Sequence, residues 1–174
     1  MATRGIDFKA LSLKDALDLA VLIEQEAKDR YEEFAAQMDQ HRTPEAAKFF
    51  RYMAFNEAKH GNELAVRRAK LFGEAPSAVT RAMIFDVEAP DYDEARAFMS
   101  PRQAMKAALA SEVKAHAFFE SALPYVQDAE AKALFESLKG EELEHWNLVK
   151  AEMAKLPPDS GLDDEDFVDE PTAQ

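Results

Sequence analysis

Apolar residues recur at steps of three and four along four long stretches of the chain, the spacing that gives an α-helix one apolar face. The first stretch carries Leu13, Ala16, Ala20, Ala27, Tyr31, Phe34 and Met38. The second carries Phe50, Met53, Leu64 and Leu71, and the third Met105, Leu109, Phe119 and Leu123. The fourth carries Phe135, Leu138, Val149 and Met153. Start signals bound these stretches. Ser12 precedes Leu13-Lys14-Asp15 as an N-cap with an acid in the first turn. Thr43-Pro44 and Ser100-Pro101 each place a capping residue before a proline at the first helical position, and Gln103 completes a capping box. Asp128 caps the last stretch. Gly73 and Pro157-Pro158 stop helices, and Pro124 ends or kinks the third. The pattern predicts helices over 12–40, 44–72, 101–126 and 128–156.

Short turns near residues 41 and 127 make the first and second helices, and the third and fourth, antiparallel neighbours. The 73–100 link holds Pro76, Pro90, Asp91 and Asp93 and little periodicity. It is long enough to run the length of a helix of about 42 Å, so the second and third helices can lie parallel. The expectation is an all-α, antiparallel four-helix bundle over residues 12–156, made of two hairpins joined by a long crossover. An N-terminal segment, 1–11, precedes it.

Each stripe is broken near its middle by polar residues of the same kind. Glu24 interrupts the first helix, Glu57 and His60 the second, Glu112 the third, Glu142 and His145 the fourth. Each Glu-x-x-His puts a carboxylate and an imidazole one turn apart on one face. Alone, such a pair is common in an acidic chain. The register says more. Glu24 and Glu57 lie about 17 and 16 residues from their shared turn, and Glu112 and Glu142 both about 15 from theirs, at about 1.5 Å per residue. The members of each pair therefore reach nearly the same depth. The halves also repeat: Glu24-x-x-Ala27-x-x-x-Tyr31 corresponds to Glu112-x-x-Ala115-x-x-x-Phe119, and Phe50…Glu57-x-x-His60 to Phe135…Glu142-x-x-His145. A pseudo-two-fold axis would gather four carboxylates and two imidazoles.

Four carboxylates in a bundle core are prohibitive without compensation. Two divalent cations cancel four negative charges, with neutral imidazoles as remaining ligands. Oxygen-rich sites with one imidazole each suit iron or manganese better than zinc, magnesium or calcium. His116, one turn after Glu112, reads as a surface or supporting residue, with an extra ligand as the alternative; His41 reads as a solvent-facing turn residue. Glu26 and Glu141 point away round their helices and read as supporting or surface groups. Tyr31 reads as core, its hydroxyl satisfied by a hydrogen bond to a ligand carboxylate.

Composition narrows the classes. The chain of 174 residues has no cysteine, which excludes disulfides, thiolate metal sites and cysteine nucleophiles. A net charge of −13 argues against nucleic acid and is compatible with cations. No apolar run approaches the ~20 residues of a membrane span, and the start does not read as a signal peptide, so no membrane and a cytoplasmic location are expected. Residues 157–174 form an acidic segment with Asp159, Asp163, Asp164, Glu165, Asp166, Asp169 and Glu170 and no basic residue. Its composition reads as a disordered solubilising tail, or as a docking segment anchored by Phe167 and Val168.

Over about residues 10–155 the chain resembles the ferritin-like diiron-carboxylate proteins of the rubrerythrin type. The resemblance rests on Glu24-Gln25-Glu26-Ala27-Lys28-Asp29-Arg30-Tyr31, on Pro44…Phe50…Glu57-Ala58-Lys59-His60 and on the matching second half. It implies two iron ions, with Glu24 and Glu112 as terminal ligands, Glu57 and Glu142 as bridging, catalytic carboxylates, and His60 and His145 capping one iron each. Manganese or a mixed metal pair is the alternative. It implies Fe(II) oxidation coupled to reduction of hydrogen peroxide or O₂, in a homodimer. The rival readings are a non-catalytic iron-storage or delivery protein and a manganese catalase-like protein. Rubrerythrins carry a four-cysteine rubredoxin-like domain for electron entry; without cysteines, an external electron donor protein is implied. Ala115 stands where rubrerythrins place an extra carboxylate, and Ala58 where bacterioferritin places its haem methionine.

Overall fold

A computed structural model of the protein describes residues 5–84, 87 and 99–156. The acidic tail and most of the second half of the crossover lie outside the described residues. Five helices are present among the described residues: α1 Leu13–Gln40, α2 Pro44–Phe72, α3 Arg81–Ile84, α4 Pro101–Ala122 and α5 Ala129–Met153. Four of them are the expected bundle helices. The short α3 was not expected; it lies in the crossover and packs on α1.

The caps act largely as their residue types dictate. The Ser12 hydroxyl accepts from the Asp15 amide, and Asp128 accepts from the Ala131 amide at 2.8 Å. Ser100 and Gln103 form a reciprocal capping box. Thr43 departs from expectation. It occupies the N-cap position of α2, but its hydroxyl donates back to the Met38 carbonyl at 3.1 Å and makes no cap bond. The tight turn, with Arg42 at φ 59°, aims the side chain that way. Two boundaries also shift. The third bundle helix stops at Ala122, not 126, because Pro124 cannot continue it, and the fourth ends at Met153 before a last turn to Leu156.

Two apolar clusters fill the bundle. One joins the C-terminal half of α1 to the N-terminal halves of α2 and α4, with Phe34, Phe50, Met53 and Ala108 among its members. The other joins the N-terminal halves of α1 and α5 to the C-terminal half of α4, with Leu17, Ile23, Phe119 and Phe135. This sharing of halves makes α2 parallel to α4 and α1 parallel to α5, so the 73–100 link does cross the length of the bundle. The repeat is visible in the packing. Tyr31 stacks on Phe50 at 6.1 Å between centroids, and their counterparts Phe119 and Phe135 meet edge-on at 5.3 Å. The stripe of α2 fades after its middle: Leu64 is half-buried, while Leu71 is 51% exposed because Phe72 takes the inward place at the helix end.

A buried ion cluster fastens the start of the crossover. Asp18 receives Arg68 Nε at 2.7 Å and Lys14 Nζ at 2.8 Å; Arg68 also donates to the carbonyls of Gly73 and Ala75, and Lys14 to that of Pro76. Burial pushes the Asp18 carboxyl up, but hydrogen bonds from Arg68, Lys14 and Ser77 outweigh it and hold its pKa below the ordinary value. A carboxyl with a lowered folded pKa stabilises the protein above its unfolded pKa, about 3.9, and loses that contribution as pH falls through the folded value. The melting temperature of the metal-free protein should therefore fall more steeply below about pH 4 in the wild type than in Asp18→Asn. Parallel acid profiles for the two proteins would contradict this.

Candidate metal centre

Between the two apolar clusters lies a polar layer. Glu24 comes from α1, Glu57 and His60 from α2, Glu112 from α4, and Glu142 and His145 from α5. The carboxylates are the most buried acids of the described chain: 4% exposed for Glu24, 1% for Glu57, 0% for Glu112 and 2% for Glu142. The imidazoles are half-buried and stack face to face, 4.8 Å between centroids and 6° from parallel. They form the solvent-side wall of the layer, and the carboxylates its floor.

Two sets of ligand atoms converge within 4.8 Å of one another: Glu57, His60 and His145, and Glu112, Glu142 and His145. Five of the six expected residues are thus brought together. Glu24 is buried at the same depth but stands outside both sets. Burial, and then the charge of neighbouring His145, lower the pKa of His60, which keeps its ring neutral near pH 7 with a lone pair to offer. His145 turns Nδ1 inward, 3.5 Å from Glu112 Oε2. That oxygen is fully buried and receives no hydrogen bond from the described residues, an orphan that a bound cation would satisfy. The donor set of carboxylates with neutral imidazoles fits divalent iron or manganese.

The surrounding groups support the layer. The Tyr31 hydroxyl points at Glu112 Oε1, 3.5 Å away, the contact with a ligand carboxylate that the sequence suggests, and it comes from the opposite hairpin. Glu141 is held by Ser137 at 3.0 Å and lends negative charge toward His60. His116 and Glu26 are half-buried, and His41 caps the end of α1. Trp146, next to His145, lies under Lys150, whose Nζ is 3.9 Å from the ring centroid.

A family model described as Rubrerythrin matches residues 15–153. The chain belongs to the rubrerythrin family. Among solved structures, an uncharacterized conserved protein from Magnetospirillum magnetotacticum MS-1 is similar, with TM-score 0.67 and 26% identity over 84% of this chain and 97% of that one. Bacterioferritin from Rhodobacter capsulatus, solved with a metal-free dinuclear site, shares the fold, with TM-score 0.56 and 21% identity over 82% of this chain and 83% of its own. No curated protein matches the sequence. As a rubrerythrin-family member this is a ferritin-like protein of the diiron-carboxylate type. No helix among the described residues is long and apolar enough to cross a membrane.

One residue that periodicity did not single out matters here. Gly61 follows His60 on α2, and a Cβ there would sit 3.2 Å from the Cβ of Glu24. The missing side chain lets α1 and α2 close together beside Glu24. Gly61→Ala gains about 1 kcal/mol of helix propensity but must push Glu24 aside. The expected outcome is nearly unchanged stability with metal affinity lowered about ten-fold, read by anaerobic titration. Unchanged affinity would show that Glu24 tolerates the shift.

Proposed function

We propose that the protein holds two iron ions in this layer and oxidises Fe(II) with hydrogen peroxide or O₂ as acceptor. Glu24, Glu57, His60, Glu112, Glu142 and His145 would hold the ions, with Glu57 and Glu142 as the catalytic carboxylates and His60 and His145 offering one imidazole to each. The observation that carries the reading is the buried layer itself, where two convergent ligand sets share His145 and Glu112 keeps an oxygen without a hydrogen bond. When bound, iron would supply the two electrons that, with two protons, reduce one hydrogen peroxide to two waters. The chain fixes the spacing of the ions, keeps the carboxylates away from bulk water and steadies Glu112 through Tyr31. An external donor protein would return the electrons.

Ala115 supports a second reading. It is fully buried where rubrerythrins carry an additional carboxylate, which favours iron binding or delivery without rapid peroxide turnover. Anaerobic Fe(II) titration followed by rapid mixing separates the two. Two ions per chain, then fast oxidation by peroxide and slower oxidation by O₂, support the oxidoreductase. Two ions bound but not oxidised support the carrier, and two stable Mn(II) with catalase activity support a manganese enzyme.

A further inference from the structure

The outward face of α2 combines aromatic and basic residues. Lys48, Phe55, Lys59 and Val66 lie within about 40° of one another round the helix, opposite Glu57, and Tyr52 stands beside them. All five are exposed, and Phe55 keeps 67% of its surface in water. The helix bears five exposed bases, Lys48, Arg51, Lys59, Arg67 and Lys70, against two exposed acids, Glu45 and Glu63. A chain of net charge −13 thus turns a basic, aromatic ridge to solvent. The ridge does not serve the metal layer, since Glu57 and His60 lie on the inward side of the helix. Two exposed rings on one helix, flanked by cations, mark a surface that another chain segment covers.

One segment of this chain carries the complementary pattern. Residues 157–174 hold seven acids and no base, with Phe167 and Val168 set among them. The segment starts at the right end of the molecule. Leu156 packs on the apolar cluster that holds the N-terminal half of α2, and its carbonyl accepts from Arg102 Nη2 at 2.6 Å. From there Phe55 lies about 17 Å along α2 and roughly 20 Å across a bundle two helices wide, a diagonal of about 26 Å. Phe167 comes eleven residues after Leu156, a reach of about 36 Å when extended. Other exposed apolar residues fit the segment less well. Leu143 of α5 is flanked by Glu141 and Glu144, which would repel it, and Tyr125 lies in the α4–α5 turn at the far end of the bundle.

We propose that residues 157–174 dock on the outward face of α2 of their own chain, with Phe167 and Val168 covering Phe55 and Tyr52 while the acids meet Lys48, Lys59 and Arg67. The segment then acts as a built-in competitor. It hides the aromatic ridge from water and closes it to a second copy or to any acidic partner. It yields to salt, because its charge contacts are surface ion pairs. The contact is intramolecular, so the high local concentration of the segment holds it in place even where each single interaction is weak.

Because the chain has no cysteine, Thr172→Cys gives a single attachment point for a nitroxide. In the isotope-labelled, metal-free, full-length protein that nitroxide should broaden the α2 amides from Lys48 to Val66 and leave those in the middle of α5 sharp. Phe167→Ala with Val168→Ala, and separately Phe55→Ala, should restore most of the lost intensity. About 1 M sodium chloride, where the screening length falls to about 3 Å, should restore part of it. All three substitutions spare the buried core, and Phe55→Ala removes only an exposed side chain, so the fold is retained. Nitroxide-bearing protein without isotope, mixed with nitroxide-free labelled protein, should cause no broadening. Broadening in that mixture seats the segment on a second copy and overturns the proposal. So does an α2 that stays sharp, or broadening that survives both sets of substitutions. Dimerisation that Phe55→Ala abolishes and Phe167→Ala with Val168→Ala leaves intact makes a second copy the occupant of the ridge, and overturns it too.

Discussion

Glu57→Gln combined with Glu142→Gln is expected to abolish metal uptake and, in the metal-free protein, to raise the melting temperature. The two effects have one origin. Glu112 and Glu142 place ligand oxygens within 4.8 Å of each other in a buried layer, with Glu57 beside the same His145. At an effective dielectric constant of about 20, one such pair of charges repels by roughly 3 kcal/mol. The wild-type layer is therefore under strain that divalent cations relieve. Removing two of the four charges relieves it differently, and gains of about 1–4 kcal/mol have precedent when buried charges are replaced by neutral groups of similar volume. For a chain of this size that is about 2–4 °C for each kcal/mol. Metal content after gel filtration and a melting curve in chelator check both halves. A double variant that still retains two ions, or that melts lower than the wild type without metal, would contradict the account.

Truncating the aromatic pivots should produce the largest losses of stability. Phe50 and Phe135 are each fully buried, at corresponding places in the repeat but in different apolar clusters. Phe50 meets Phe34 at 5.3 Å and Tyr31 at 6.1 Å; Phe135 meets Phe119 at 5.3 Å. Phe50→Ala and Phe135→Ala should each cost about 3–5 kcal/mol, lost burial plus the cavity left behind, or about 10 °C in melting temperature. Because the polar layer stands between the clusters, the costs should add within about 0.5 kcal/mol in the double variant. Strong non-additivity in chemical denaturation would mean that the clusters behave as one core.

Much of this was legible in the residues because several signals agreed. Ser12 and Ser100 announce helix starts by short-range chemistry that tertiary packing does not alter. Glu24, Glu57, Glu112 and Glu142 could be placed at one depth because helical rise is constant and the turns are short. What escaped depended on contacts between distant segments. Leu71 fits the periodicity of α2 but turns outward because Phe72 takes the inward place. Thr43 has the composition of a cap, yet the turn conformation sends its hydroxyl to Met38. Gly61 has no periodic signature; it gains meaning from what faces it, the Cβ of Glu24. Comparison of the two halves, Gly61 with Trp146, is the signal that could have found it.

The indole seated under Lys150 is the sole tryptophan of the chain, and it adjoins His145. Its emission therefore reports from one known spot at the edge of the layer. Paramagnetic ions quench indole light at short range, whereas zinc does not, so occupancy of the His145 side can be followed optically in unlabelled protein, one addition at a time.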